Sequence, residues 1–254
     1  MCKRLVIVLF IVFSFSSCKK ESLFHVDYKI VAHRGYWKEA NGAENSLEAL
    51  LKANKLGVDG VELDICKTID DSLVVAHGER HGEYTIAQTD FATLRKIRLA
   101  NGELIPTLTE YLRYYRKIGC ELELIVEIKH HGKEKQILEI LEEFELLSQI
   151  KIISFSWDIC RKIHQLSPMI HISYLTGDKS PQVIKEGDLS GIAYRISVYK
   201  NNPDWLNEAR SLGLTTYVWE VGTESDFIWS SKNNLDYIVT DSPHEAMLFK
   251  YNYE

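Results

Sequence analysis

The chain has little of what organises disulfide scaffolds, hinged multidomain proteins or nucleic-acid binders. Five cysteines in 254 residues are too few and too widely spaced for a disulfide framework. Cys66, Cys120 and Cys160 read as buried thiols, with a single disulfide still open outside the cytoplasm. Five prolines and fourteen glycines are scattered as turn punctuation, and no linker, repeat or low-complexity tract divides the chain. No Gly-x-Gly-x-x-Gly turn follows the first strand-like run, so a dinucleotide site has no support. Basic residues are outnumbered, 30 against 36 acidic, for a net charge of −6; nothing here points to nucleic acid. Nor is any apolar run long enough to span a bilayer.

The apolar run that is present is short and lies at the start. Lys3-Arg4 precede Leu5–Phe13, which holds no polar residue, and Ser14-Phe15-Ser16-Ser17-Cys18 follows. A basic start, a short apolar stretch and small residues are the marks of a secretory signal. The Ser-Ser-Cys ending resembles the lipobox of bacterial lipoproteins. It implies an exported protein, periplasmic or elsewhere in the cell envelope, held to a membrane by lipid on Cys18. The expected organisation is a signal peptide over 1–17, a short tether over 18–28 and one catalytic domain over 29–254. Removing 1–17 takes away two cations and no acid, leaving the remainder at −8. No obligate protein partner is evident.

Strand-like apolar runs then alternate with helical patterns. The expected strands are Lys29–His33, Val58–Asp64, Leu122–Lys129, Lys151–Phe155, Ile170–Leu175, Gly191–Ile196, Thr215–Trp219 and Tyr237–Thr240. Helical periodicity appears over Ser46–Leu56, Leu108–Ile118, Lys133–Leu147, Trp157–Leu166, Pro181–Glu186, Pro203–Leu212 and Glu224–Lys232. Parallel neighbours need crossover connections, and eight strand–helix units in this length predict an α/β fold, a closed (β/α)8 TIM barrel. An open doubly wound sheet is the competing architecture. The long stretch from His77 to Leu108 predicts a small insertion after the second strand, placed to shape a pocket.

Chemistry-bearing residues gather between His33 and His77. Glu62 and Asp64 are two apart on a strand and so share one face; in a barrel that face is the interior, at the end where active sites lie. Two such carboxylates repel unless protonated or bridged by a cation, and oxygen donors favour a hard ion, Mg²⁺ or Ca²⁺. Glu127 reaches the same end on the third strand. His33 and His77 suit removal of a proton from an attacking oxygen and donation of one to a leaving alcohol. Arg34 offers a forked donor pair to phosphate. Lys129 shares the face of Glu127 and can either neutralise phosphoryl oxygens or pair with Glu127 or Glu62. Glu44 opens the first helix, where it could ligate metal, bond substrate or hold His33; Asn45 supports the loop. Trp219 ends the seventh strand as a pocket wall. Cys66, in phase with Glu62 and Asp64, is expected to fill space inside the barrel.

The order His33-Arg34-Gly35, Glu44-Asn45-Ser46, Glu62-x-Asp64-x-x-x-Thr68-x-Asp70 and Val74-Val75-x-His77 resembles the glycerophosphodiester phosphodiesterase family. Ile105–Leu108 and Val239–Pro243 match further family segments. The resemblance implies a TIM barrel with an insertion after its second strand, and a divalent metal on Glu62, Asp64 and Glu127. His33 and His77 would be acid and base, and the substrate a small glycerophosphodiester split to glycerol 3-phosphate and an alcohol. Neighbouring readings are a barrel phosphodiesterase for intact lipids or sugar-linked diesters, and an inactive binding lipoprotein. Two positions depart from the family pattern. Gly78 stands where His-Asp is usual after the second histidine. Trp219-Glu220-Val221-Gly222 stands in place of Trp-Thr-Val-Asn.

Overall fold

The computed structural model describes residues 27–38 and 42–253. The signal-like segment, Cys18 and the tether as far as residue 26 lie outside the described residues. Along the chain the strands are β1 (Lys29–Ala32), β2 (Gly60–Lys67), β3 (Leu73–Val75), β4 (Arg80–His81), β5 (Tyr84–Thr85), β6 (Glu123–Ile128), β7 (Ile150–Ser154), β8 (His171–Tyr174), β9 (Gly191–Arg195), β10 (Thr215–Trp219) and β11 (Tyr237–Thr240). Eight of them run parallel in the order β1-β11-β10-β9-β8-β7-β6-β2, and β2 returns to β1 to close the barrel. The helices are α1 (Leu47–Leu56), α2 (Phe91–Leu94), α3 (Leu108–Lys117), α4 (Glu134–Glu143), α5 (Trp157–Leu166), α6 (Pro181–Glu186), α7 (Ile196–Asn201), α8 (Trp205–Ser211), α9 (Glu224–Lys232) and α10 (Pro243–Tyr253).

Side-chain alternation along each strand builds two cores. Ile30, Leu63, Leu124, Val126, Ile152, Ile172, Ile192, Val218 and Ile238 face the helices. Val31, Ile125, Ile153, Leu175, Ala193, Tyr217, Tyr237 and Val239 fill the interior. Tyr217 and Tyr237 stack at 4.4 Å between ring centres. Gly191 lets β8, β9 and β10 pack closely, since a Cβ there would lie 2.5 Å from both the Thr215 carbonyl oxygen and Ser173 Oγ. The floor is polar but paired: Glu123 meets Lys29, accepts from the Tyr237 hydroxyl at 2.8 Å and lies 3.7 Å from Lys151. This packing fills the middle of the barrel, and the pocket lined by His33, Glu62 and Glu127 opens at the C-terminal end.

Helix starts are written in the sequence. Ser46 accepts from the Ala49 N–H, and Thr107 with Glu110, and Thr223 with Asp226, form reciprocal capping boxes. Helices α7 and α10 escape the periodicity reading. The first follows β9 without a break, and in the second Ala246, Met247, Leu248 and Phe249 run consecutively, so no single face stands out. The insertion after β2 holds β3 (antiparallel on β2), the β4–β5 hairpin and α2 around its own small core. Cys66 belongs to that core, with Val74, Ile86, Leu94 and Ile105, rather than to the barrel interior. The expectation for Cys66 fails because the antiparallel strand covers the end of β2 that outreaches the barrel. All three described cysteines are free and buried.

Candidate active site

The C-terminal ends of β1, β2 and β6 are neighbours in the barrel, and they bring most of the expected residues together. His33 directly follows β1, its N–H still donating to the Thr240 carbonyl at 2.9 Å. The chain then turns sharply. Arg34 adopts φ 58° and Gly35 φ 83°, and a Cβ on Gly35 would sit 2.7 Å from that of Ala49. Only glycine allows this turn to pack on α1. Asn45, also at φ 58°, donates its N–H to the Arg34 carbonyl at 2.9 Å. Two non-glycine residues in this sparsely populated region cost on the order of 1 kcal/mol or more each, a strain typical of functional sites.

Glu62 and Asp64 on β2 and Glu127 on β6 are buried, and one oxygen from each lies within 4.8 Å of the others. Glu62 accepts from the Arg34 N–H at 3.0 Å. Asn45 clamps Asp64 twice, donating from Nδ2 at 2.8 Å and accepting the Asp64 N–H at 3.1 Å. Glu62 Oε1 is buried without a hydrogen bond, and Asp64 Oδ1 has Lys129 Nζ at 2.9 Å. Burial first, then Asp64 and Glu127, pushes the Glu62 carboxyl well above its usual range. Burial likewise raises Glu127 against the pull of Lys129. A buried oxygen without a partner among mutually repelling carboxylates fits a hard divalent cation. The triad can hold a metal.

The cations are already engaged. Lys129 contacts Glu127 at 2.6 Å and Asp64 at 2.9 Å; burial, which works against its charge, is outweighed by these two carboxylates. Arg34 donates to Glu44 at 2.7 Å, and its Nε lies 3.4 Å from Asp64. Glu44 joins neither the triad nor His33. It bridges Arg34 to His77, whose Nδ1 is 3.7 Å away. His77 and Arg34 hold Glu44 down at about 2 despite its burial. Glu44 thus stands beside the second histidine, where Gly78 provides no carboxylate.

Several contributors escaped the sequence reading. Asp241, one residue past β11, accepts from His33 Nδ1 at 2.7 Å and meets Lys38 at 3.0 Å. These partners overcome burial and hold its carboxyl at about 2. An ionised carboxylate only accepts, so the Nδ1 proton of His33 points to Asp241 and Nε2 faces the pocket, 3.9 Å from Glu62. Asp241 lies in the same alternation as Tyr237 and Val239, but 208 residues from His33; only barrel closure joins them. The far wall consists of Phe155, Leu175, Arg195 and Trp219. Trp219 donates its indole N–H to the Ala193 carbonyl at 2.7 Å and meets Phe155 edge-on at 5.6 Å. The enclosed pocket measures about 190 Å³ and reaches from His33, Arg34, Glu62, His77, Glu127 and Lys129 to this wall.

Fold and site together define a (β/α)8 barrel with a buried oxygen-rich cation site set between two histidines and fixed cations, an arrangement suited to phosphoryl chemistry. The sequence model of the Glycerophosphoryl diester phosphodiesterase family matches residues 33–245, and the chain belongs to that family. It is 32% identical to the glycerophosphodiester phosphodiesterase from Parabacteroides distasonis, whose crystal structure superposes with a TM-score of 0.84, covering 89% of this chain and 98% of that one. The glycerophosphodiester phosphodiesterase from Caldanaerobacter subterraneus is 29% identical over 242 residues, 84% of this chain and 94% of its own. The fold is shared with an Oleispira antarctica phosphodiesterase solved with the product sn-glycerol-3-phosphate, at 22% identity and a TM-score of 0.73, over 87% of this chain and 96% of that one.

Proposed function

We propose that this protein is a metal-dependent glycerophosphodiester phosphodiesterase, cleaving deacylated phospholipids to glycerol 3-phosphate and an alcohol. The observation that carries the reading is the convergence of Glu62, Asp64 and Glu127 with His33 and His77 at the C-terminal end of the barrel. Mg²⁺ or Ca²⁺ on the three carboxylates would supply Lewis-acid polarisation of the phosphoryl oxygens. Arg34 and Lys129 offset the charge developing on those oxygens. His33, its tautomer set by Asp241, and His77, held by Glu44, divide removal of the nucleophile's proton and donation to the leaving oxygen. Trp219 and Phe155 form the apolar wall against which the rest of the diester lies. Asn45 keeps Asp64 aimed.

The reading extends to location. A lipid on Cys18 would tether the barrel to an envelope membrane through residues 18–28; labelling with a radioactive fatty acid that persists in Cys18→Ala would refute it. The catalytic test is glycerol 3-phosphate release from glycerophosphoethanolamine by the full chain in detergent, with EDTA, with Mg²⁺ and with Ca²⁺. Release that needs one of these ions and disappears in His33→Ala supports the assignment and selects the metal. No release with either ion from folded protein would overturn it.

A further inference from the structure

The pocket holds three cations, Arg34, Lys129 and Arg195, and the first two already contact carboxylates. Arg34 and Lys129 are each bound by carboxylates of the site. Arg195 is different. It ends β9 in the alternation of Gly191 and Ala193, so it points into the mouth, and it lines the pocket. No ion pair or hydrogen bond to its guanidinium occurs among the described residues. Its one recorded contact is with Trp219, over whose ring the guanidinium carbon lies at 4.5 Å. That stacking pre-orients a planar donor fork at little entropic cost. Glu220 also borders the pocket, yet it makes no contact with Arg195 within ion-pair distance.

Barrel closure fixes where this unspent charge stands. In the ring β1-β11-β10-β9-β8-β7-β6-β2, β9 is four strands from β2 in either direction. Arg195 therefore faces Glu62 and Asp64 across the full mouth. A phosphodiester whose phosphate rests at the carboxylate edge can send one arm across the same pocket to the Arg195–Trp219 wall. A trimethylammonium or ammonium group arriving there finds the Trp219 face already covered by a positive charge. An anionic group finds an unpaired fork. The chain is otherwise acidic, which makes a local cation at this position the more distinctive.

Resting on the phosphodiesterase reading above, we infer that Arg195 forms a leaving-group subsite, selecting glycerophosphodiesters whose alcohol carries an additional anionic group such as a carboxylate. Glycerophosphoserine and glycerophosphoethanolamine make a matched test, because their alcohols differ by a single carboxylate. An Arg–carboxylate contact at a partly exposed site is worth about a threefold to fivefold preference. Competition between the two diesters should show the wild-type holoenzyme favouring the serine diester in kcat/KM by about that factor. Arg195→Gln should bring the ratio close to one, and Arg195→Lys should retain part of it, since charge remains while the fork and the stacking go. A wild-type preference for the ethanolamine diester, or a ratio that Arg195→Gln leaves unchanged, overturns the inference. If neither diester is cleaved by folded wild-type enzyme with metal, the phosphodiesterase reading itself fails.

Discussion

Replacing Glu62 by Gln should reverse the stability order of variant and wild type according to whether a divalent ion is present. The oxygens of Glu62, Asp64 and Glu127 lie within 4.8 Å of one another, so each ionised pair repels by at least about 3 kcal/mol at an effective dielectric constant of about 20. Attraction from Lys129 and Arg34 recovers part of this, but the raised carboxyl of Glu62 shows that burial and repulsion prevail. Gln keeps the oxygen that accepts the Arg34 N–H. It also places an amide N–H donor near the neighbouring carboxylates, where Glu62 Oε1 now has no partner. In EDTA at mildly alkaline pH, Glu62→Gln should therefore match or exceed the wild type by about 1 kcal/mol, roughly 2–4 °C in Tm for a chain this size. Most substitutions of a buried group do the opposite. Mg²⁺ or Ca²⁺ at about 100 times Kd should add about 2.7 kcal/mol to the wild type, or roughly 5–10 °C. A variant lacking one of three carboxylates should gain less than about a third of that. Calorimetry of both proteins with and without ion makes the comparison. A variant markedly less stable in EDTA, with the same ion-induced shift as the wild type, would refute the argument that these three carboxylates form a cation site.

Three further outcomes follow from the geometry. Asp241→Asn leaves the packing in place but lets His33 take the wrong tautomer; kcat should fall by about 10²–10⁴-fold with KM little changed, and a loss below threefold in steady-state kinetics would remove Asp241 from the mechanism. His171, on the floor of the barrel, is depressed from 6.5 to about 4, by burial first and then Lys151, with Glu123 and Asp236 opposing. The unfolded chain then binds a proton that the folded one refuses, so stability is complete above about 6.5 and falls as pH drops towards 4, by at most about 3 kcal/mol; urea midpoints should show this slope in the wild type and a flatter one in His171→Gln, and parallel slopes would contradict it. Gly191→Ala sets a Cβ 2.5 Å from the Thr215 carbonyl oxygen and Ser173 Oγ, and should cost about 3 kcal/mol or more in chemical unfolding, well above the usual glycine-to-alanine effect.

What the sequence makes legible here is what a strand or helix can state locally. Glu62 and Asp64 share a face because a strand alternates, and Ser46, Thr107 and Thr223 announce helices because their hydroxyls meet nearby N–H groups. The eight-unit rhythm likewise fixes the barrel, whose closure depends on every unit having the same hand. Pairings made by closure are a different matter. The Asp241–His33 contact spans the whole chain, and no periodicity connects its two ends. Glu44 could be located but not assigned, because helix-start carboxylates serve many partners and the bridge to His77 depends on how the insertion folds back. Cys66 was misplaced for a related reason: alternation gives its phase on β2 but not that β3 covers that stretch.

The same distinction explains why the departures from the family pattern leave the centre intact. Gly78 lacks a side chain at φ 80°, and a Cβ there would meet nothing within 4 Å, so this position supplies no group to orient His77. Glu44 takes a place beside that histidine from another element while also fixing Arg34, and its contacts with His77 and Arg34 keep it ionised in a half-buried position. One carboxylate thereby couples Arg34 to His77. The mouth changes in parallel. The Trp219 segment carries Glu220 and Gly222, and Arg195 covers the tryptophan face from the adjacent strand. The residues on β1, β2 and β6 that suit bond cleavage are those the family pattern shares. The departures at Glu220 and Gly222 follow β10, beside the wall where one arm of the diester would rest. A barrel permits this separation because each strand end contributes its side chain independently to one ring, so the far half of the mouth can change its ligand without disturbing the cation site opposite.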